Sequence, residues 1–175
     1  MAEVIIAVDG PAGSGKSSVS KAAARELGFG YLDTGAGYRA FAIHKSNFPD
    51  LELAQLVQNF DYSISIDPDN ELVMLSGIDV TAEIRTAAVS EAVSFVAKEQ
   101  LVRNLQLQDA RKRITDGQTQ GVLVEGRDIT TVVAPAALVR VLLTASPTVS
   151  PVAPGFNWST DVAQRPAETY TIGMT

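Results

Sequence analysis

Residues 10 to 18 read GPAGSGKSS and follow the spacing Gly10-x-x-x-x-Gly15-Lys16-Ser17, which is the sequence form of a loop that wraps phosphate. Glycines at 10, 13 and 15 allow a tight turn and a close approach, so that successive backbone amides point inward at phosphate oxygens. Lys16 adds a full positive charge, and Ser17 has a hydroxyl suited to Mg²⁺. A helix starting near Gly15 would turn its positive end toward the anion. The nucleotide-binding set is therefore Gly10, Pro11, Ala12, Gly13, Ser14, Gly15, Lys16, Ser17 and Ser18. Further chemistry-bearing residues follow other apolar runs: Asp33 in YLDTG, Arg39 soon after it, and Glu125, Arg127 and Asp128 in VLVEGRD. Asp33 and Glu125 are acids suited to the Mg²⁺ shell or to the group that receives phosphate. Arg85 reads as a surface ion-pair residue sooner than a phosphate contact. His44 has no metal-ligating companions and reads as a surface residue.

These groups need elements to hold them. Glu3 to Val8 reads as a buried strand and Ser18 to Leu27 as a helix that Gly28 ends. YLDTG reads as a short strand entering a loop, and residues 50–60 suit a short helix. YSISID and ELVMLSG alternate around the turn signal DPDN and predict an antiparallel hairpin, with a third short strand at Ile78 to Val80. Residues 86–116 look helical. GVLVEGRD and LVRVLLTA read as two more buried strands, because parallel strands covered on both faces are continuous Val/Ile/Leu runs. The expectation is an α/β fold whose ligands gather at the carboxyl ends of its strands. DGPAGSGKS, LDTGAGYR and EGRD all leave such ends.

Composition narrows the function. The chain has 175 residues, 46% of them hydrophobic, and a net charge of −6. That size suits one main core with a small insert. The acidic balance argues against a nucleic-acid partner, whose backbone needs a basic face. With no cysteine in the chain, disulfides and thiolate metal sites are excluded. The apolar run before Asp9 is too short for a signal peptide core, and no run reaches the roughly 20 residues of a membrane span. A cytoplasmic protein with a small-molecule substrate, no nucleic acid, no membrane and a monomeric state is expected.

Three stretches in order, IAVDGPAGSGKSSVSKAAARELGFGYLDTGAGYRA, IDVTAEIRTAAVSEAVSFVA and VLVEGRDITTVVAPAALVRVLLTASP, resemble the bacterial cytidylate kinase family of P-loop nucleoside monophosphate kinases. The resemblance implies a three-layer α/β fold with a parallel sheet in the order 2-3-1-4-5 and a small antiparallel β insert near residues 55–90. It implies transfer of the γ-phosphoryl of ATP to CMP or dCMP, with Mg²⁺ held at Ser17. Lys16, Arg39 and Arg127 would be catalytic, and Arg39 and Arg127 would hold the acceptor's phosphate. Thr34 would line the acceptor site, Asp128 would accept from the cytosine 4-amino group, and Ser94 and Arg103 would bind other atoms of the base. A carboxylate independently suits that amino donor. Nine residues on one helix stand about 180° apart, so Ser94 and Arg103 can converge only if the helix breaks; a break within Ala97 to Gln100 is predicted.

The resemblance spans roughly residues 4–147, within an expected P-loop core of residues 1–147. Residues 148–175 read as an atypical, largely irregular tail, without the family's lid arginines. Residues 146–175 hold four of eight prolines and one of fourteen basic residues. Prolines at 147, 151 and 154 exclude a useful helix. The last strand of the family order has no clear counterpart, Tyr170 to Met174 being the one segment able to pair at that edge. Gly37 stands where the family has a bulky residue and Thr130 where it has glycine, and each is expected to loosen local structure. A kinase with impaired turnover is the leading reading. The alternative is a module that binds nucleotide without efficient transfer. A GTPase switch is excluded by the lack of an Asn/Thr-Lys-x-Asp stretch.

Overall fold

Runs of β-branched and apolar residues form the strands expected of them. In the computed structural model, which describes residues 4–117, 119–145 and 169–174, β1 is Val4–Asp9, β6 is Gly121–Gly126 and β7 is Val139–Ala145. Between β1 and β6 the order is α1 (Lys16–Leu27), β2 (Gly30–Asp33), α2 (Thr34–Asn47), α3 (Leu53–Gln58), β3 (Tyr62–Ile64), β4 (Val73–Leu75), β5 (Ile78–Asp79), α4 (Ala87–Val96) and α5 (Gln100–Asp116). A π-helical turn, Ile129–Val133, separates β6 from β7, and β8 is Thr169–Met174. Contacts divide the chain into two compact units, residues 1–33, 67–69 and 111–175 in the first and residues 34–66 and 70–110 in the second.

The first unit is built on a sheet in the order β2-β6-β1-β7-β8, parallel at every pairing. Numbered along the sheet alone, this is the expected 2-3-1-4-5. Its centre is Ile6, Val8, Leu123, Val139, Val141 and Leu143, covered by Ala23 and Ala24 of α1. Register matters for the site: Asp9 is paired with Gly126, and Asp33 with Glu125. Three acids thus stand at the same carboxyl edge. α1 ends as expected at Gly28, whose left-handed φ of 66° suits glycine.

Two expectations are corrected here. The edge beside β7 is not bare, because β8 pairs along it from Arg140↔Thr169 to Ala145↔Met174. A strand edge offers a row of unpaired amides and carbonyls, and TYTIGM supplies a short β-prone run that can take them. A tail without the last strand is therefore wrong for residues 169–174, while residues 146–168, where the lid expectation falls, lie outside the described residues. Likewise, β2 enters no loop after Asp33. It runs straight into α2 at Thr34.

The second unit packs α2, α3, the β3-β4-β5 sheet, α4 and the first part of α5 around Phe41, Leu56, Val73, Leu75, Ile84 and Val102. The expected hairpin exists, with Ser63 opposite Met74, and the third strand follows. Ser76 and Gly77 both take positive φ, 48° and 79°, as a two-residue hairpin turn requires. The helix break is also present, since α4 ends at Val96 and α5 starts at Gln100. His44, expected at the surface, is instead 2% exposed among the rings of Phe41, Phe48 and Phe60. A helix facing an aromatic cluster buries whatever lies on that stripe, and one isolated histidine in sequence does not reveal the stripe. Among the described residues no helix is long and apolar enough to cross a membrane.

Candidate active site

The phosphate loop runs from the end of β1 to the start of α1, and its glycines are needed where they stand. A Cβ on Gly10 would lie 2.5 Å from the backbone oxygen of Leu143, so the loop can leave β1 there only without a side chain. Gly13 and Gly15 take φ of 77° and 75°, a conformation that costs other residues about 1–2 kcal/mol. The Ser14 hydroxyl donates to the Pro11 carbonyl at 2.9 Å and closes the turn. Gly15 caps α1 and brings no side-chain acceptor, leaving the first amides of the helix to an anion.

Opposite the loop, Glu125 stands next to the end of β6, almost fully buried. Ser17 Oγ donates to Glu125 Oε1 at 2.6 Å, and the Tyr31 hydroxyl donates to the same oxygen at 2.9 Å. Burial first, and then the charge of Asp33, push the Glu125 carboxyl above its ordinary range, while Ser17, Lys16 and Tyr31 pull the other way. Burial, with Glu125 and Asp33 beside it, also pushes the Tyr31 hydroxyl far up, so it stays a donor. Ser17, Glu125 and Asp33 make an oxygen-only set near the phosphate loop. Mg²⁺ takes such hard donors sparingly, one or two from protein with phosphates completing its shell, and the residues present fit it.

The EGRD segment is the third part. Gly126 is opposite Asp9, and after Arg127 the chain turns sharply at Asp128, whose φ of 59° and ψ of 23° are left-handed. Asp9 fastens the turn that follows. Its Oδ1 accepts from the Ile129 amide at 2.8 Å, and its Oδ2 accepts from the Thr130 amide at 2.9 Å and the Thr130 hydroxyl at 2.5 Å. From the other end, Arg111 donates to the carbonyls of Val132 and Val133 at 2.7 and 3.2 Å. Thr130 therefore tightens this loop, against the expectation that it would loosen it. Sequence reading missed Tyr31, Asp9 and Thr130 as contributors. Only Asp9 had a signal, its place just before the loop.

Thr34, Arg39, Ser94 and Arg103 belong to the second unit. Thr34 opens α2, and Arg39 lies further along the same helix. Ser94 lies on α4, where its hydroxyl donates to the Glu91 carbonyl at 2.8 Å, and Arg103 lies on α5 beyond the break. The space beside Gly37 is filled, since a Cβ there would collide with the Gln106 amide and approach the Tyr62 hydroxyl to 2.9 Å. Arg85 donates to Glu71 at 2.7 Å, the ion pair expected of it. The first unit thus brings Lys16, Ser17, Asp33, Glu125, Arg127 and Asp128 to one end of its sheet.

Comparison with known proteins agrees with this geometry. Residues 6–151 match the family model described as cytidylate kinase. Cytidylate kinase of Mycobacterium leprae (strain Br4923) is 44% identical over 149 residues, covering 84% of this chain and 66% of the relative. That of Pelotomaculum thermopropionicum (strain DSM 13744 / JCM 10971 / SI) is 46% identical over 149 residues, covering 81% and 64%. A bifunctional pantoate ligase/cytidylate kinase of Prochlorococcus marinus (strain NATL1A) is 44% identical over 153 residues, 82% of this chain and 28% of the relative. The matched region spans just under two thirds of the length of the first two. A matching family model over most of the chain and a phosphate loop in the expected strand-loop-helix setting lead to one conclusion: the chain belongs to the cytidylate kinase family.

Proposed function

We propose that this chain transfers the γ-phosphoryl group of ATP to CMP or dCMP. The observation that carries the reading is the carboxyl edge of the parallel sheet, where Lys16 and Ser17 face Glu125 while Asp9 holds the turn that directly follows Arg127 and Asp128. The loop amides and Lys16 bind the donor's phosphates. Ser17, with Glu125 beside it, would hold Mg²⁺, which would supply charge neutralisation for those phosphates. Arg39 and Arg127 hold the acceptor phosphate, one of whose oxygens attacks the γ-phosphorus as the bond to the bridging oxygen breaks and ADP departs. Positioning and charge neutralisation supply most of the rate in such a transfer. Asp128 accepts from the cytosine amino group, Ser94 and Arg103 bind the rest of the base, and Thr34 lines the acceptor site.

In this reading the protein works as a cytoplasmic monomer on small molecules.

Coupled detection of ADP with CMP, dCMP or UMP as acceptor, beside calorimetric CMP binding, tests the reading. Turnover on CMP is expected to exceed that on UMP by about 10² or more, because uracil offers the Asp128 carboxylate a carbonyl oxygen in place of cytosine's amino donor. Tight CMP binding with no ADP formed would overturn transfer in favour of a binding module. Asp128→Ala should raise KM for CMP at least about tenfold, the worth of a hydrogen bond to a charged group, with KM for ATP nearly unchanged. An equal rise for both nucleotides would remove the base contact.

A further inference from the structure

We propose that Asp9 and Thr130 form a clamp that positions the acceptor half of the site, an inference that rests on the assignment of Arg127 and Asp128 to the acceptor nucleotide. The first amides of a helical turn have no partner within the turn. The preceding side chain usually supplies one, but Asp128 does not cap this turn. Asp9 does so from another strand, through three hydrogen bonds to residues 120 and 121 positions away. It is the last residue of β1, opposite Gly126 and immediately before Gly10.

One carboxylate therefore joins the mouth of the phosphate loop to the turn that starts at Asp128. The left-handed backbone at Asp128 persists only where its surroundings hold it. Asp9 and Thr130 hold it from the N-terminal side, and Arg111 from the C-terminal side. Asp9 spends both oxygens on amides and a hydroxyl of its own chain. Its role is positioning. Thr130 adds a third bond through its hydroxyl, which a residue without one could not make.

Asp9→Asn keeps the shape but replaces one acceptor oxygen with a donor, and Thr130→Val keeps the volume but removes the hydroxyl, so at least one variant should fold. In Asp9→Asn, KM for CMP is expected to rise about tenfold with KM for ATP within about threefold. Thr130→Val should show a smaller rise of the same kind, and Thr130→Ser should restore the parent value. Hydrogen exchange read at the amides of residues 129 and 130 should quicken in Asp9→Asn. Unchanged exchange at those amides overturns the clamp. A fall in Tm with both KM values unchanged, or both KM values rising together, overturns its positioning role. Asp128→Ala measured alongside separates the two ideas: if it leaves CMP binding intact, the acceptor assignment fails, while the exchange result still judges the clamp.

Discussion

His44 is the residue whose environment departs furthest from its sequence. Burial lowers its imidazole below the ordinary value of 6.5, against a hydrogen bond with the Leu56 backbone that acts the other way. The unfolded chain therefore binds more protons at this site below about pH 6.5, and stability must fall as pH drops through that region. Urea unfolding at pH 7.5 and pH 5 should show a larger loss for the parent than for His44→Leu. Equal losses would mean that His44 is not the source. The phosphate loop, by contrast, was legible residue by residue, because its chemistry lies within nine consecutive positions. Tyr31 and Thr130 were not, since their partners lie 94 and 121 positions away and nothing local marks the contact.

At the scale of elements, the α4 to α5 break was legible because the resemblance assigns Ser94 and Arg103 to one base, and an unbroken helix would set them about 180° apart. What fills the space beside Gly37 was not. α2 and α5 meet there through Gln106, a buried side chain whose Nε2 has no hydrogen-bond partner among the described residues. Gly37→Ala should destabilise the fold by about 1–3 kcal/mol through overpacking. Combined with Gln106→Ala it should cost less than the sum of the single changes, with a coupling of about 0.5–3 kcal/mol. Denaturant unfolding of the four proteins checks this, and strict additivity would show that the two positions do not meet.

For the whole molecule, the order of strands decides which edges remain open. β7 carries the buried Val139, Val141 and Leu143 and would end the sheet without β8. Removing residues 169–174 should lower Tm and favour concentration-dependent association, because an apolar edge with unpaired backbone groups recruits other chains. Calorimetry and light scattering of the shortened chain test this, and an unchanged Tm would mean that β8 contributes nothing to stability.

The sequence by itself determined the phosphate-binding chemistry, the α/β class and the central strands, all of which follow from spacing and hydrophobic runs within short windows. Tertiary structure alone decided that Asp9 caps a turn formed by residues 129 and 130, that Tyr31 joins Ser17 on Glu125, and that TYTIGM completes the sheet. Each of these is a pairing between groups far apart in the chain. Such pairings form because buried or edge polar groups must find partners wherever folding brings them, and local pattern carries no record of where that is.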